Sequence, residues 1–442
     1  MDVNMSFPDE IKQELNRAIS NGIALFKRDF GEGRTSFTRS SELTHERMIQ
    51  LLLSMNGGSL EKELYKAGIK AGKSAFSQRR KQLSNMEWEY IFEQFNQSDP
   101  NVKTYKGYRI FAVDGTTVNM PRNPQAATFV QNAGNPKGYN QFHVNPLYDV
   151  LSKTYAHCVI QPQPKQDEIG ALRFMLNWYD YPEKTLMVAD RGYESYNLIA
   201  HFLENKVDFL IRVKQDRSAM RAVKSLPMTT LDKDVSFTIT TTQTNEDKEN
   251  DRIFIQTRKN ESRAYSAKTK ASRWDFPSPY NMQFRVVRFM LSTGEYETLV
   301  TSLKRGPGGF SIEELKELYH ARWGIETAFR ELKYGLGLVN LHGRSDEFVR
   351  QEIFAALIMA NFCSRIASQV VIGKKKSNIH AYKVDMRMAV FLCKQFYAAG
   401  GADGEKLIQD IARYTEPIRP GRADERNIRA KSWSGFVYRV AA

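Results

Sequence analysis

The chain has 442 residues, with 64 Lys and Arg against 50 Asp and Glu, a formal charge of +14 that calls for an anionic partner, either nucleic acid or a membrane surface. No apolar run approaches the roughly 18 residues needed to span a bilayer, and the opening MDVNMSFPDEIKQ lacks the apolar centre of a signal peptide, so nucleic acid in a cytoplasmic setting is the expectation. Cys158, Cys363 and Cys393 form no CxxC pair and the seven histidines no HExxH, which argues against a Cys-rich zinc site or a zinc hydrolase and for reduced thiols.

At this length two to four domains are expected. The first ~100 residues read as helical. Met48, Leu51, Leu52 and Met55 recur at i, i+3, i+4 and i+7, Asn56-Gly57-Gly58 breaks the pattern, and SLEKELYKAG and KSAFSQRRKQL follow. Between residues 61 and 81 seven Lys or Arg face only Glu61 and Glu63. A basic last helix after two short ones suggests helix-turn-helix-like DNA binding, with Lys73, Arg79 and Arg80 as candidate contacts. A solvated basic helix is the competing explanation.

Residues 105 to 214 fit strands at 108–114, 142–150 and 154–161, a helix at 166–179, a strand ending at Asp190, a helix at 196–205 and a strand at 207–214. That order makes a mixed α/β sheet. YRIFAVDGTTV stops at Asp114-Gly115, and the apolar run Leu186-Met187-Val188-Ala189 stops at Asp190. Each acid sits at a strand end, where open α/β sheets bind ligands, although Asp-Gly is also an ordinary turn signal. Residues 215 to 304 alternate in VSFTITTTQ, RIFIQTRK, FRVVRFML and YETLVTSL and read as a β-rich insertion, with KQDRSAM and NEDKEND as loops.

A helix then starts near Ser311, with Glu314 completing a capping box, and is expected to stop after Lys333 at Gly335 and Gly337. Placed on one α-helix, Tyr319, Arg322, Glu326 and Lys333 fall at about 0°, −60°, −20° and −40°, with Arg330 at about +20°. Leu318, Ile325, Phe329, Leu332 and Leu336 form the core side. A carboxylate among two arginines, a lysine and a phenol suits a metal ion and phosphate; a solvated charged face is the alternative. Glu331 lies about 140° from Glu326 and is the weaker third acid. FVRQEIFAALIMANFCSRIASQVV at 348–371 reads as a long apolar helix, followed by the lysine run at 374–376 and an Arg-rich tail.

Asp114-Gly-Thr, Asp190-x-Gly-Tyr and Tyr-x2-Arg-x3-Glu-x6-Lys at 319 to 333 together resemble the signatures of bacterial insertion-sequence transposases of the Asp-Asp-Glu class, in the subgroup marked by that Tyr-Arg-Glu-Lys motif. The resemblance spans about residues 105 to 370. It implies a ribonuclease H-like catalytic fold with an inserted β-rich subdomain, flanked by helical N- and C-terminal regions. The expected divisions are a helical DNA-binding domain at 1–100, catalytic core at 101–214 and 305–372, the insertion at 215–304, and a basic helical region at 373–442. It also implies two Mg2+ ions per site, replaceable by Mn2+, held by Asp114, Asp190 and Glu326, with Tyr319, Arg322 and Lys333 donating to DNA phosphates; Arg330, on the same stripe, is a further candidate DNA contact. The partners implied are double-stranded element ends and target DNA, and a second copy of the chain in a synaptic dimer, nucleoid-associated when bound. Subgroup members that make hairpin ends carry a Trp shortly before the strand leading to the catalytic helix. Here GEYETLVTSL has none, and Tyr296 and Trp274 are the nearest candidates, with core packing as the simpler role. A ribonuclease H-like nuclease or resolvase without strand transfer, and a non-catalytic DNA-binding protein, are the alternatives.

Overall fold

The computed structural model describes residues 6–29, 37, 40–215, 218–257, 273–373, 380–401 and 403–418. In chain order the elements begin with helices α1 (Phe7–Asp29), α2 (His45–Ser54), α3 (Leu60–Lys66), α4 (Lys73–Arg80) and α5 (Asn85–Gln97). Strands β1 (Arg109–Val113), β2 (Thr116–Met120), β3 (Phe129–Asn132), β4 (Asn135–Asp149) and β5 (Thr154–Pro162) follow. Then come α6 (Glu168–Trp178), β6 (Thr185–Ala189), α7 (Tyr196–Glu204), β7 (Asp208–Arg212), α8 (Arg221–Lys224), β8 (Leu231–Thr240), α9 (Asn245–Glu249), β9 (Ile253–Phe254), β10 (Tyr280–Met290) and β11 (Tyr296–Thr301). The last are α10 (Ile312–Ala321), α11 (Gly324–Arg330), a π-turn (Glu331–Gly335), α12 (Asp346–Ala367), β12 (Tyr382–Val384), α13 (Met386–Ala398), α14 (Gly404–Arg413) and β13 (Thr415–Pro417).

These elements divide into two compact units, one of Met1–Val102, Gly115–Gln166 and Glu326–Ala442, the other of Lys103–Asp114 and Asp167–Ile325. In the first unit α12 is the axis. It is buried along most of its length and packs against α1, α2, α5, α13 and β5, as expected of a helix apolar all round. Its Asn361, 1% exposed, exchanges hydrogen bonds with the Tyr155 backbone. The apolar stretch at 348–371 is therefore largely consumed within the chain's own first unit. Beside these helices β4 pairs antiparallel with β2, β3 and β5. β2 and β3 are strands that the sequence pattern did not disclose, because TTVNM and FVQN are too short and polar to stand out from turn sequence.

In the second unit β1, β6 and β7 run parallel, and β11, β10 and β8 continue the sheet antiparallel from β7, with β9 at its edge. β6 is buried on both faces, as its apolar run TLMVA requires. The two Asp-ended strands, β1 and β6, are neighbours in this sheet. The β-rich stretch after residue 214 does not close on itself: β11 pairs β7 through Leu299↔Arg212, so it extends the same mixed sheet. Two of its arginines serve that extension. Arg285 makes paired bonds to Asp232 at 2.7 and 2.8 Å, and Arg288 donates to Thr298 at 2.9 Å, both side chains almost wholly buried. NEDKEND, expected as a loop, contains α9, because Thr244 and Asp247 form a reciprocal capping box that nucleates one turn.

Candidate active site

The register of the parallel strands builds the site. Val113 lies opposite Ala189, and Ala189 opposite Ile211. Asp114 and Asp190 therefore leave the sheet at one level, and Arg212, at the same level of β7 and still paired with Leu299, completes the row Asp114, Asp190, Arg212 along its carboxyl edge, where open sheets take ligands. Asp190 turns its carboxylate back to accept the Gly192 N–H at 2.7 Å, capping a short 3-10 turn at Arg191–Tyr193. The Asp114 carboxylate lies 3.5 Å from the Arg322 guanidinium, whose side chain is only 5% exposed.

α10 carries Tyr319, and its start is fixed as the sequence predicts: Ser311 and Glu314 bond each other's backbone N–H groups. Glu314 also accepts from Tyr105 at 2.7 Å and pairs with Lys106 at 2.6 Å. The Lys106 ammonium, with the capping and Tyr105 bonds, holds Glu314 down to about 2. The segment ahead of β1 is thereby tied to the helix that presents Tyr319. Ser311→Ala is expected to cost about 1 kcal/mol, read in thermal unfolding.

The single helix expected across residues 311 to 333 is not continuous. α10 ends at Ala321, the N–H groups of Arg322, Trp323 and Ile325 bond three residues back, and α11 restarts at Gly324. The tighter i→i+3 bonding interrupts the constant 100° spacing after Tyr319, and in the first unit the π-turn that contains Lys333, with Leu336 N–H on the Glu331 carbonyl, interrupts it again. The apolar side predicted from the spacing holds: Leu318, Ile325, Phe329, Leu332 and Leu336 are all buried. The charged stripe, however, is not a solvated face at its start. Tyr319 is 6% and Arg322 5% exposed. Burial raises the Tyr319 phenol pKa against the opposing pull of Arg322 and Arg212, the latter also its hydrogen-bond partner. The Arg322 guanidinium lies over the Tyr319 and Trp323 rings.

Two further groups, Arg212 and Glu297, were not found from the sequence. Arg212 pairs with Glu297 at 3.2 Å. Burial raises the Glu297 pKa, opposed by Arg212 and Arg322. The signal for Arg212 was present: it ends the strand after the one ending in Asp190. Glu297 had none, since its place depends on the antiparallel pairing of β11 with β7.

Glu326, Arg330 and Lys333 belong to the first unit, whose boundary falls within α11 between Ile325 and Glu326. Glu326 and Lys333 are half-buried and Arg330 is exposed. Glu331 is half-buried in that unit, its pKa raised by burial and opposed by Lys153 and Lys383. Among the described residues no three His, Cys, Asp or Glu side chains stand grouped as a metal-holding set.

The helix-turn-helix reading needs one correction. Arg80 is 2% exposed, and its guanidinium donates to Gln351 at 2.8 Å, Glu352 at 2.8 Å and the Phe348 carbonyl at 2.6 Å. It is spent inside the first unit because α4 turns this face toward α12. Arg79 is half-buried and lies over the Phe37 ring, and Lys73 is exposed beside Glu61. Trp274 packs edge-on against Phe276 and Tyr280. The lysine run at 374–376 and the tail from residue 419 lie outside the described residues, as does part of KQDRSAM. No described helix is long and apolar enough to cross a membrane.

A family model described as Transposase DDE domain matches residues 105–362, more than half of the chain. The chain belongs to the DDE transposase family. Membership makes it an enzyme of DNA transposition by descent, and the matched span contains both strand-end aspartates and the broken helix. No curated protein matches it. Among solved structures it is similar to a chain of the piggyBac transposase synaptic complex with hairpin DNA, at 11% identity and a TM-score of 0.41, over 94% of this chain and 85% of that one. A likeness of that degree carries no functional inference.

Proposed function

We propose that this DDE transposase binds the ends of its own insertion sequence and catalyses metal-dependent cleavage and strand transfer by cut-and-paste, on a ribonuclease H-like core of the Tyr-Arg-Glu-Lys subgroup. The observation that carries the reading is the register row in which Asp114 and Asp190 leave adjacent parallel strands at one level, with Arg322 against Asp114. The donor set fits hard divalent cations: two carboxylates from separate strands, with Glu326 proposed as the third from the motif. Bound there, Mg2+ or Mn2+ supplies activation of the attacking hydroxyl and charge stabilisation on the leaving oxygen.

The chain's own residues have distinct work. Asp114 and Asp190 hold hard oxygen donors at the sheet edge. Arg322, buried and planar, lies against Asp114 and is proposed to donate to a DNA phosphate together with Tyr319, whose phenol Arg212 orients. Lys333 and Arg330 are proposed as further phosphate donors, and Lys73 and Arg79 as contacts to the element's ends, with Arg80 withdrawn from that set.

Excision and reinsertion require two ends held together, so we propose a synaptic dimer assembled on DNA. The test uses the purified full chain, DNA carrying the repeats that flank its own gene, a target plasmid and Mg2+. Expected are Mg2+-dependent cuts at the ends and joined products, and light scattering that shows a dimer with end DNA and a monomer without it. Cutting without joining favours the nuclease or resolvase reading; binding without Mg2+-dependent cutting favours a DNA-binding protein.

A further inference from the structure

Tyr193 follows the second strand-end aspartate by three residues and is not used by the mechanism above. Its backbone N–H bonds the Asp190 carbonyl at 3.1 Å, which holds Tyr193 in the turn that leaves the strand end. There it is 1% exposed, and its hydroxyl is buried with no hydrogen-bond partner among the described residues. Its charged neighbours are Glu168, at the start of α6, then Asp114 and Asp190, with Arg322 opposing; burial first and these carboxylates next hold its pKa well above the usual phenol value. The phenol O–H is thus a buried donor within electrostatic range of three carboxylates, with no acceptor turned to it among the described residues. Buried hydroxyls normally have partners, and an orphan at a site of this chemistry marks an acceptor that arrives in another state.

We propose that Tyr193 is a positioning residue of the divalent-cation pocket, its phenol O–H reserved for an oxygen of the Asp114 or Asp190 carboxylate whose other oxygen takes the cation. A carboxylate has two oxygens, and a ligating one is commonly fixed by a hydrogen bond to the second. The row of strand ends sets the carboxylates' origin but not their rotation, since Asp190 is now turned to the Gly192 N–H and Asp114 to Arg322. A buried, unpartnered donor three residues after Asp190 supplies what the row does not. The inference rests on the reading of Asp114 and Asp190 as metal ligands.

The test is Mn2+ binding to the full chain without DNA, followed by the electron paramagnetic resonance of free Mn2+, for the wild type, Tyr193→Phe and Asp114→Asn. Phenylalanine keeps the ring and removes only the donor. Expected is a Kd raised about 10-fold or more in Tyr193→Phe, the scale of outer-shell partners. Its Tm without metal should equal or exceed that of the wild type, because an unsatisfied buried hydroxyl is lost. Its Tm gain on adding Mn2+ should be smaller. In the cleavage assay the half-saturating Mg2+ concentration should rise while kcat at saturating Mg2+ changes little. Unchanged Mn2+ affinity in Tyr193→Phe, with Asp114→Asn impaired, overturns this inference alone. Equal binding by wild type and Asp114→Asn, or none by the wild type, overturns the ligand reading and this inference with it.

Discussion

Asp114→Asn, Asp190→Asn and Glu326→Gln are each expected to abolish DNA cleavage, by more than about 100-fold, while end binding survives. The floor follows from comparison: loss of an outer-shell partner typically costs about 10–100-fold in metal affinity or activity, and a direct ligand's charge counts for more. The amides keep the shape of the side chain and remove one negative charge, so a fall in cleavage without a fall in gel-shift affinity isolates the metal role. The two aspartates should differ in one respect. Arg322 is 5% exposed with Asp114 at 3.5 Å, so Asp114→Asn leaves a buried guanidinium with less compensation and should lower Tm more than Asp190→Asn, whose carboxylate caps a turn through one 2.7 Å bond. Cleavage retained in Glu326→Gln and lost in Glu331→Gln would transfer the third position to Glu331.

What was legible in the sequence was local. The capping box at Ser311 and Glu314, the apolar run ending at Asp190 and the core side of the helix at Leu318 to Leu336 are consequences of neighbours within about four residues, and each is found in place. The break at Arg322-Trp323 was not legible, since HARWGIE contains no proline and its glycine follows the turn. A stripe computed at a constant 100° per residue therefore merged two helices and a π-turn. The partners of long side chains were illegible for a different reason. Arg80 and Arg79 are adjacent in a basic run, yet one meets an interior of residues more than 260 positions away and the other the half-buried ring of Phe37. Composition gives both a charge, and only packing says where the charge is used. The same limit hid Glu297, which reaches Arg212 through an antiparallel pairing across 85 residues.

Arg80→Ala is expected to destabilise the chain by about 3–5 kcal/mol, the scale for removing one partner of a buried pair, whereas Lys73→Ala should stay within about 0.5 kcal/mol. The difference comes from what is left behind. Glu352 accepts from Arg80, and also from the His342 and Gly343 N–H groups at 2.8 and 2.7 Å. Burial works against its ionisation, and the Arg80 guanidinium with the His342 contacts outweighs burial, bringing it to about 2 from an ordinary 4.5. A carboxylate depressed in the folded state contributes stability that is present above pH about 4.5 and is lost as pH falls toward 2. Without Arg80 its share of that contribution is missing at neutral pH already. The stability gap between wild type and variant, followed by urea unfolding at a series of pH values, should therefore be widest near pH 7 and close as pH drops through the window from about 4.5 to about 2. A gap that stays constant across that window would assign the loss to packing of the guanidinium over the Phe348 ring, 4.6 Å away, instead of to the ion pair. In the same variants the salt slope of end binding should fall by about 1 for Lys73→Ala if it meets a phosphate, and stay unchanged for Arg80→Ala measured under conditions where it remains folded. A reduced slope in folded Arg80→Ala would return that arginine to the DNA interface.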